Sequence, residues 1–160
     1  MARLSDLKWT YWLYMKGYVY RSFDWRPGAR LEKPLAEARV AVVTTASFHL
    51  PDQAPFDESI RGGDYTYRVL AADCDLRALR TSHRSDAFDK VGLLADPNLT
   101  LPLDRLREMA AAGEIGSVAP RHFTFQGSIP APGRLLKQSA PEVARLLRDD
   151  GVDAVLLTPL

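Results

Sequence analysis

The chain has 160 residues, 21 basic against 20 acidic, one cysteine and 46% apolar residues. That composition excludes disordered, collagen-like and fibrous chains, and the length suits one domain around one core. The near-neutral charge argues against nucleic acid as a partner, and Cys74 alone permits neither an internal disulfide nor a four-cysteine zinc site.

The amino terminus is aromatic but broken by Asp6, Lys8, Lys16 and Arg21, so no apolar run reaches the roughly 18 residues of a membrane span. A cytoplasmic protein without a membrane partner is expected, in keeping with the absence of disulfide chemistry. Eight of the 15 aromatic residues fall within residues 1–36. Leu7, Tyr11, Tyr14 and Tyr18 recur at helical spacing, which predicts an amphipathic helix. Residues 1–36 then form an aromatic extension packed on a single α/β domain at 37–160, or a surface that docks a protein partner.

Residues 38–45 (ARVAVVTT) are β-branched and apolar without alternation, the pattern of a strand buried on both faces. A weaker strand at 67–71 follows the turn signal Gly62-Gly63-Asp64. Residues 101–112 predict a helix with Pro102 near its start and Gly113 past its end, and 115–119 a short strand. Ser139 and Glu142 have the spacing of a capping box, Gly151 ends that helix, and 153–157 is another buried strand. The alternation predicts an α/β fold: a mostly parallel sheet with helices on both faces, three layers, Rossmann- or flavodoxin-like.

Open parallel sheets bind ligands beyond the carboxyl ends of their strands. His49, His83 and His122 each follow a predicted strand, and Asp64, Asp96 and Asn98 lie in loops able to reach the same edge. Histidine with carboxylate suits acid–base chemistry or a divalent metal, although no compact zinc motif is present and no metal is specified. Each histidine alone is as well explained by a scattered surface position, and Asp96-Pro97-Asn98 by a turn. Cys74 lies between Asp73 and Asp75, which disfavour its thiolate, so it reads as a loop residue. There is neither a Gly-x-Gly-x-x-Gly sequence nor a Walker loop to hold a nucleotide, and no serine-hydrolase elbow.

The ordered segments VAVVTTASFHL, GGDYTYRVL, TSH, ADPNLTLPLDRLREM, GEIGSVAPRHFTFQG and DGVDAVLLTP resemble the selenoprotein B component of glycine, sarcosine and betaine reductases, together with its D-proline reductase relatives. The resemblance runs from about Trp25 to the last residue. It implies an α/β fold and a reductive chemistry in which a thiol or selenol attacks an activated small amino acid or related metabolite. It implies His49, His83 and His122 as groups that bind or protonate the substrate, with Asp64, Ser82, Asp96 and Asn98 as substrate-binding positions. The family's reactive residue follows a segment like DAVLLTP, whereas this sequence stops at Thr158-Pro159-Leu160, so the nucleophile is expected from outside this chain. The stretch 84–95 is about two residues longer than usual in the family, and Gln126 stands where methionine is common. Two other readings keep the same fold: a non-redox subunit that binds a small molecule or a metal, and a metal-assisted lyase or hydrolase built on the three histidines.

Overall fold

Strand β1 (Arg39–Thr44) organises the sheet, because three other strands pair with it. In the computed structural model, which describes residues 9–18, 24, 28–85 and 89–160, β1 runs parallel to β5 (Ser117–Val118), β6 (Arg121–Phe125) and β7 (Ala154–Thr158). Strand β3 (Tyr67–Ala71) lies antiparallel on the far side of β6. Its Val-rich sequence gives β1 two apolar faces, and both are used. Val40 and Val42 join a core cluster with Leu70, Leu101, Leu103 and Leu106, while Ala41 and Val43 pack with Phe123, Phe125, Val143 and Leu147. Helix α3 (Leu103–Ala111) supplies the first cluster and α4 (Ala140–Asp149) the second. A two-stranded antiparallel ribbon, β2 (Phe48–His49) with β4 (Arg80–Thr81), follows the carboxyl end of β1.

The α/β class is as expected. The sheet itself is mixed rather than the plain parallel sheet of a Rossmann or flavodoxin-like fold, because β3 returns antiparallel to β6. Strand β6 is the main element that pattern reading misses: RHFTF places His122 and Thr124 between aromatic residues, and both polar side chains bond inside the core. Thr124 Oγ1 accepts from Phe48 N at 3.0 Å, and His122 Nδ1 accepts from Val42 N at 3.0 Å. The latter bond falls where β1 changes partner, between its pairing with β5 at Val40 and with β6 at Val43. Helix α2 (Lys90–Ala95), capped by the Asp89 carboxylate on Val91 N and Gly92 N, was also unexpected.

The predicted helix at 101–112 is observed as Leu103–Ala111, with Pro102 at its N-cap and Gly113 at φ 73° just beyond it. The predicted capping box does not form. A π-helical turn, Leu135–Ser139, runs directly into α4, so Ser139 is no helix terminus and its hydroxyl donates to the Tyr65 carbonyl instead.

Contacts divide the chain into two compact units, Met1–Arg30 and Leu31–Leu160. The first contains α1 (Trp9–Gly17), with Lys16 Nζ 4.6 Å above the Trp12 ring and with Trp9 and Leu13 exposed. Of the predicted stripe, Leu7 and the side chains of Tyr11 and Tyr14 lie outside the described residues, and Tyr18 is exposed. No helix among the described residues is long and apolar enough to cross a membrane.

Candidate functional site

Strands β1 and β6 end side by side at Thr44 and Phe125, and both chains turn sharply just beyond. Ser47 (φ 55°) and Ser128 (φ 58°) are the non-glycine residues in the left-handed region among those described. Such conformations cost a residue with a Cβ of order 1 kcal/mol and concentrate at functional sites. The two turns are bonded together. Ala46 bridges Gln126, Ser47 N donates to the Phe125 carbonyl at 3.0 Å, and Gly127 N approaches Ser47 Oγ at 3.4 Å. From the β2–β4 ribbon, Ser82 N donates to the Ser47 carbonyl at 3.2 Å and Thr81 Oγ1 to the Ala46 carbonyl at 2.8 Å.

That ribbon brings His83 to the same edge, 2% exposed, with its ring against Gly127. A Cβ on Gly127 would overlap His83 Nε2 and come within 2.8 Å of the Thr45 carbonyl, so glycine at 127 is what lets the imidazole sit there. His83 Nδ1 accepts from Ser85 N at 3.1 Å, which puts the ring proton of the neutral form on Nε2. Burial lowers the His83 pKa below the ordinary histidine value, against the Ser85 hydrogen bond, so the neutral ring is favoured.

Gln126 adds an amide to this edge. Its Oε1 accepts from Asp64 N at 2.6 Å, while its Nε2 is buried and has no hydrogen-bond partner among the described residues. Gly62 and Gly63, both at positive φ, shape the turn that presents Asp64 N to it. The Asp64 carboxylate is 2% exposed and accepts from Asp57 N (2.9 Å), Thr66 N (2.8 Å) and Thr66 Oγ1 (2.6 Å), with Arg68 3.8 Å away. Burial alone would raise its pKa, but these bonds and the guanidinium together hold it below the usual carboxylate value.

The sequence-derived candidates therefore separate. Asp64, Ser82 and His83 converge on the turns after β1 and β6. Ser82 Oγ accepts from Phe56 N at 2.9 Å. His49 lies within β2 rather than in a loop, beside Arg80, with its Nδ1 3.1 Å from the Leu50 carbonyl. His122 is not beyond a strand end, as expected, but inside β6 and fully buried. Burial, and then the Arg107 charge, lower its pKa to about 4 against the Ala119 carbonyl. It serves the sheet as an acceptor for Val42 N.

Asp96 and Asn98 belong to the entry of α3. Asp96 accepts from Asn98 N at 3.1 Å, and Asn98 exchanges hydrogen bonds with Asp104 through its Nδ2 (2.9 Å) and Oδ1 (3.1 Å). The three histidines form no metal cradle. Among the described residues no group of three His, Cys, Asp or Glu side chains is placed to hold a metal ion.

Cys74 is half-buried in an open cleft of about 320 Å³ lined by Asp73, Asp75, Asp104 and Arg107. Burial, with Asp73, Asp75 and Asp104, pushes its thiol pKa up, and Arg107 opposes them. Arg107 is committed to the Ala72 and Cys74 carbonyls and to Asp104. The residues that sequence reading missed are Ser47, Gly127 and Ser128. A serine or glycine two or three residues after a buried strand was the available signal, and it is a weak one without the positive φ.

The sequence model of the family described as glycine/sarcosine/betaine reductase selenoprotein B matches residues 12–159. The D-proline reductase subunit gamma of Acetoanaerobium sticklandii is 33% identical over 134 residues, covering 84% of this chain and 52% of that protein. The glycine reductase complex component B subunit gamma of Carboxydothermus hydrogenoformans is 29% identical over 140 residues, 86% of this chain and 31% of the relative. The sarcosine reductase complex component B subunit beta of Peptoclostridium acidaminophilum is 27% identical over 141 residues, covering 88% and 32% respectively. The chain thus spans from about a third to half the length of these relatives. No solved structure matches it. A match over nearly the whole chain, with relatives that all bear reductase-subunit names, places this protein in the glycine/sarcosine/betaine reductase selenoprotein B family.

Proposed function

We propose that the chain is a component of a thiol- or selenol-dependent reductase acting on a small amino acid or related metabolite, with its substrate held at the turns after β1 and β6. The observation that carries this reading is the collection of hydrogen-bond donors at that edge within a reductase family. His83 holds its proton on Nε2 against Gly127, Gln126 keeps an amide N–H₂ without a partner among the described residues, and the Ser47 hydroxyl lies beside them. A donor-rich edge of neutral groups suits a carboxylate, the group that small amino acids share. His83 is the residue placed to orient the substrate or pass it a proton. Ser82 and Asp64 fix the loops that form this edge.

The nucleophile in this reading is a thiol or selenol other than Cys74, whose raised pKa keeps it protonated. It comes from a partner polypeptide or a further segment, in line with relatives that are subunits of reductase complexes. The exposed Trp9 and Leu13 of α1 suit a protein contact of the same assembly.

The test is turnover by the native assembly, purified through a tag on this chain and supplied with a small dithiol and, in turn, proline, glycine, sarcosine and betaine. Dithiol-dependent loss of one substrate is expected, at least tenfold slower in His83→Ala and unchanged in Cys74→Ser. No turnover with any of the four, or loss of turnover in Cys74→Ser, overturns the reading. Substrate binding without reduction would instead make the chain a non-redox binding subunit.

A further inference from the structure

Between β2 and β3 the chain runs through residues 50–66 without a strand or helix. A loop of this length with no structure of its own is usually functional or disordered, and this one is tied down. Gln53 Nε2 donates to the Val69 carbonyl at 2.8 Å, and Arg68 Nε and Nη2 donate to the Ala54 and Pro55 carbonyls at 2.6 and 2.9 Å. Its tip, residues 57–64, is closed at the base by Asp57 N donating to the Asp64 carboxylate. The base sits on both parts of the candidate site. On one limb Phe56 N donates to Ser82 Oγ, one residue before His83; on the other Asp64 N donates to Gln126 Oε1, one residue before Gly127. Gly62 and Gly63 press on the chain leaving β6, where added Cβ atoms would lie 2.8 Å from Ala131 Cβ and 3.0 Å from Ile129 Cγ1. The tip is thus held between that chain and the end of the ribbon that carries His83. Beside burial and the Ser85 hydrogen bond, two charges act on His83: Lys90, which opens α2, and Glu58, on this tip. Glu58 is exposed, and its carboxylate takes part in no hydrogen bond or ion pair among the described residues.

We infer that Glu58 receives the cationic amine of the substrate and is a specificity-determining residue of this site. The inference rests on the reading of the edge as an amino-acid site, and it supplies the half of the ligand which that reading leaves unmatched. The donors at the edge are neutral and suit a carboxylate; a zwitterion also needs an anion for its nitrogen. The other carboxylates of the tip are committed. Asp57 accepts from Ser59 N at 2.8 Å and Ser59 Oγ at 2.6 Å, and Asp64 is saturated by Asp57 N, Thr66 N and Thr66 Oγ1. Glu58 is the tip's uncommitted anion, and it follows directly the limb anchored beside His83. A substrate lying between them meets donors at its carboxylate end and a negative charge at its nitrogen.

Isothermal titration of the native assembly with matched ligands tests this. The pairs are proline with tetrahydrofuroate, glycine with glycolate, sarcosine with methoxyacetate, and betaine with tert-butylacetate. Each pair keeps the carboxylate and exchanges the charged nitrogen for a neutral oxygen or carbon. In at least one pair the parent is expected to bind the amino acid at least fivefold more tightly than its neutral analogue. Glu58→Gln removes that preference by weakening the amino acid alone, and Glu58→Asp keeps part of it. Glu114→Gln, at an exposed position just beyond α3, leaves both affinities as they were, which separates a local carboxylate from the net charge of the chain. Because Glu58 is exposed, the circular dichroism spectra of its variants should match that of the parent. Undiminished discrimination in Glu58→Gln overturns the proposal and leaves the carboxylate site standing. An equal fall in affinity for both members of a pair also overturns it, since that marks a structural role for the tip. If the parent binds no member of any pair, the amino-acid reading of the edge falls, and this proposal with it.

Discussion

The imidazole of His122 completes the hydrogen bonding of Val42: its Nδ1 accepts the Val42 N–H at 3.0 Å, at the point where β1 passes from β5 to β6. The bond requires a deprotonated Nδ1, and the burial that holds the pKa at about 4 keeps it so.

A pH dependence of stability follows, and its sign is fixed. The folded pKa lies below the unfolded value of 6.5, so between the two the unfolded chain binds the proton more readily. Stability is therefore full above pH 6.5 and falls as pH drops toward 4. The loss is about 2 kcal/mol between pH 7 and pH 5, by the conversion of about 1.4 kcal/mol per pKa unit. His83, lowered by burial in the same direction, adds to this slope. Urea melts at the two pH values measure it, and His122→Gln, which keeps an acceptor but does not titrate, flattens it.

Gly127 and His83 occupy one another's space. Gly127→Ala is expected to displace the imidazole or the Thr45 backbone, because the added methyl overlaps both. Overpacking of this kind costs about 1–3 kcal/mol. Thermal melts should show the loss, and the NMR shifts of His83 should move more than those of His49, which lies in the neighbouring strand. Restoring room with His83→Ala in the Gly127→Ala background should return part of the stability, which a strain elsewhere in the turn would not allow.

These contacts also show what pattern reading could reach. Strand β1 and the β7 segment were legible because a β-branched run without alternation has few other stable fates in a chain of this composition. The end of α3 was legible because Gly113 takes a positive φ there. Strand β6 was not, since His122 and Thr124 break its apolar run. His122 Nδ1 and Thr124 Oγ1 find their donors in Val42 N and Phe48 N, 80 and 76 residues away in sequence. The same blindness affected the site. His83 could be singled out as a histidine after a strand, but nothing local distinguished it from His122, and only the tertiary pairing puts one at the edge and the other in the core. Ser47 and Ser128 carried only the weak signal of a serine just after a strand, because left-handed serine is a consequence of the bonded turns and not of local preference.

Ser128 gives a direct test of that strain. Its side chain is exposed and its φ is 58°, so Ser128→Gly removes a Cβ from the left-handed region at little cost in contacts. It should raise stability by up to about 1 kcal/mol. Ser128→Val, with a branched Cβ in the same conformation, should lower it by at least as much. Denaturant midpoints with unchanged m-values would place both effects in the folded turn. If the conformation belongs to the site, Ser128→Gly also weakens substrate binding by the native assembly despite its greater stability.

Asp64 ties the turn at Gly62-Gly63 to Gln126 and is predicted to be the most damaging polar position to alter. Asp64→Asn retains one carbonyl acceptor but turns an amide donor toward groups that are themselves donors, Asp57 N or Thr66 N and Oγ1. A lost acceptor for a buried donor costs about 1–3 kcal/mol. The sign of the pH effect is opposite in origin to that of His122. The carboxyl pKa is depressed on folding, so its contribution is present above the unfolded carboxylate value near 4 and disappears as pH falls through the folded value. The deficit of Asp64→Asn relative to the parent should therefore be constant from pH 8 to pH 5 and shrink below about pH 4, outside most of the window in which the histidines act. Paired urea titrations at pH 7 and pH 3 separate the two contributions. A deficit that stayed constant to pH 3 would mean that the Asp64 carboxylate is not the acceptor holding this turn.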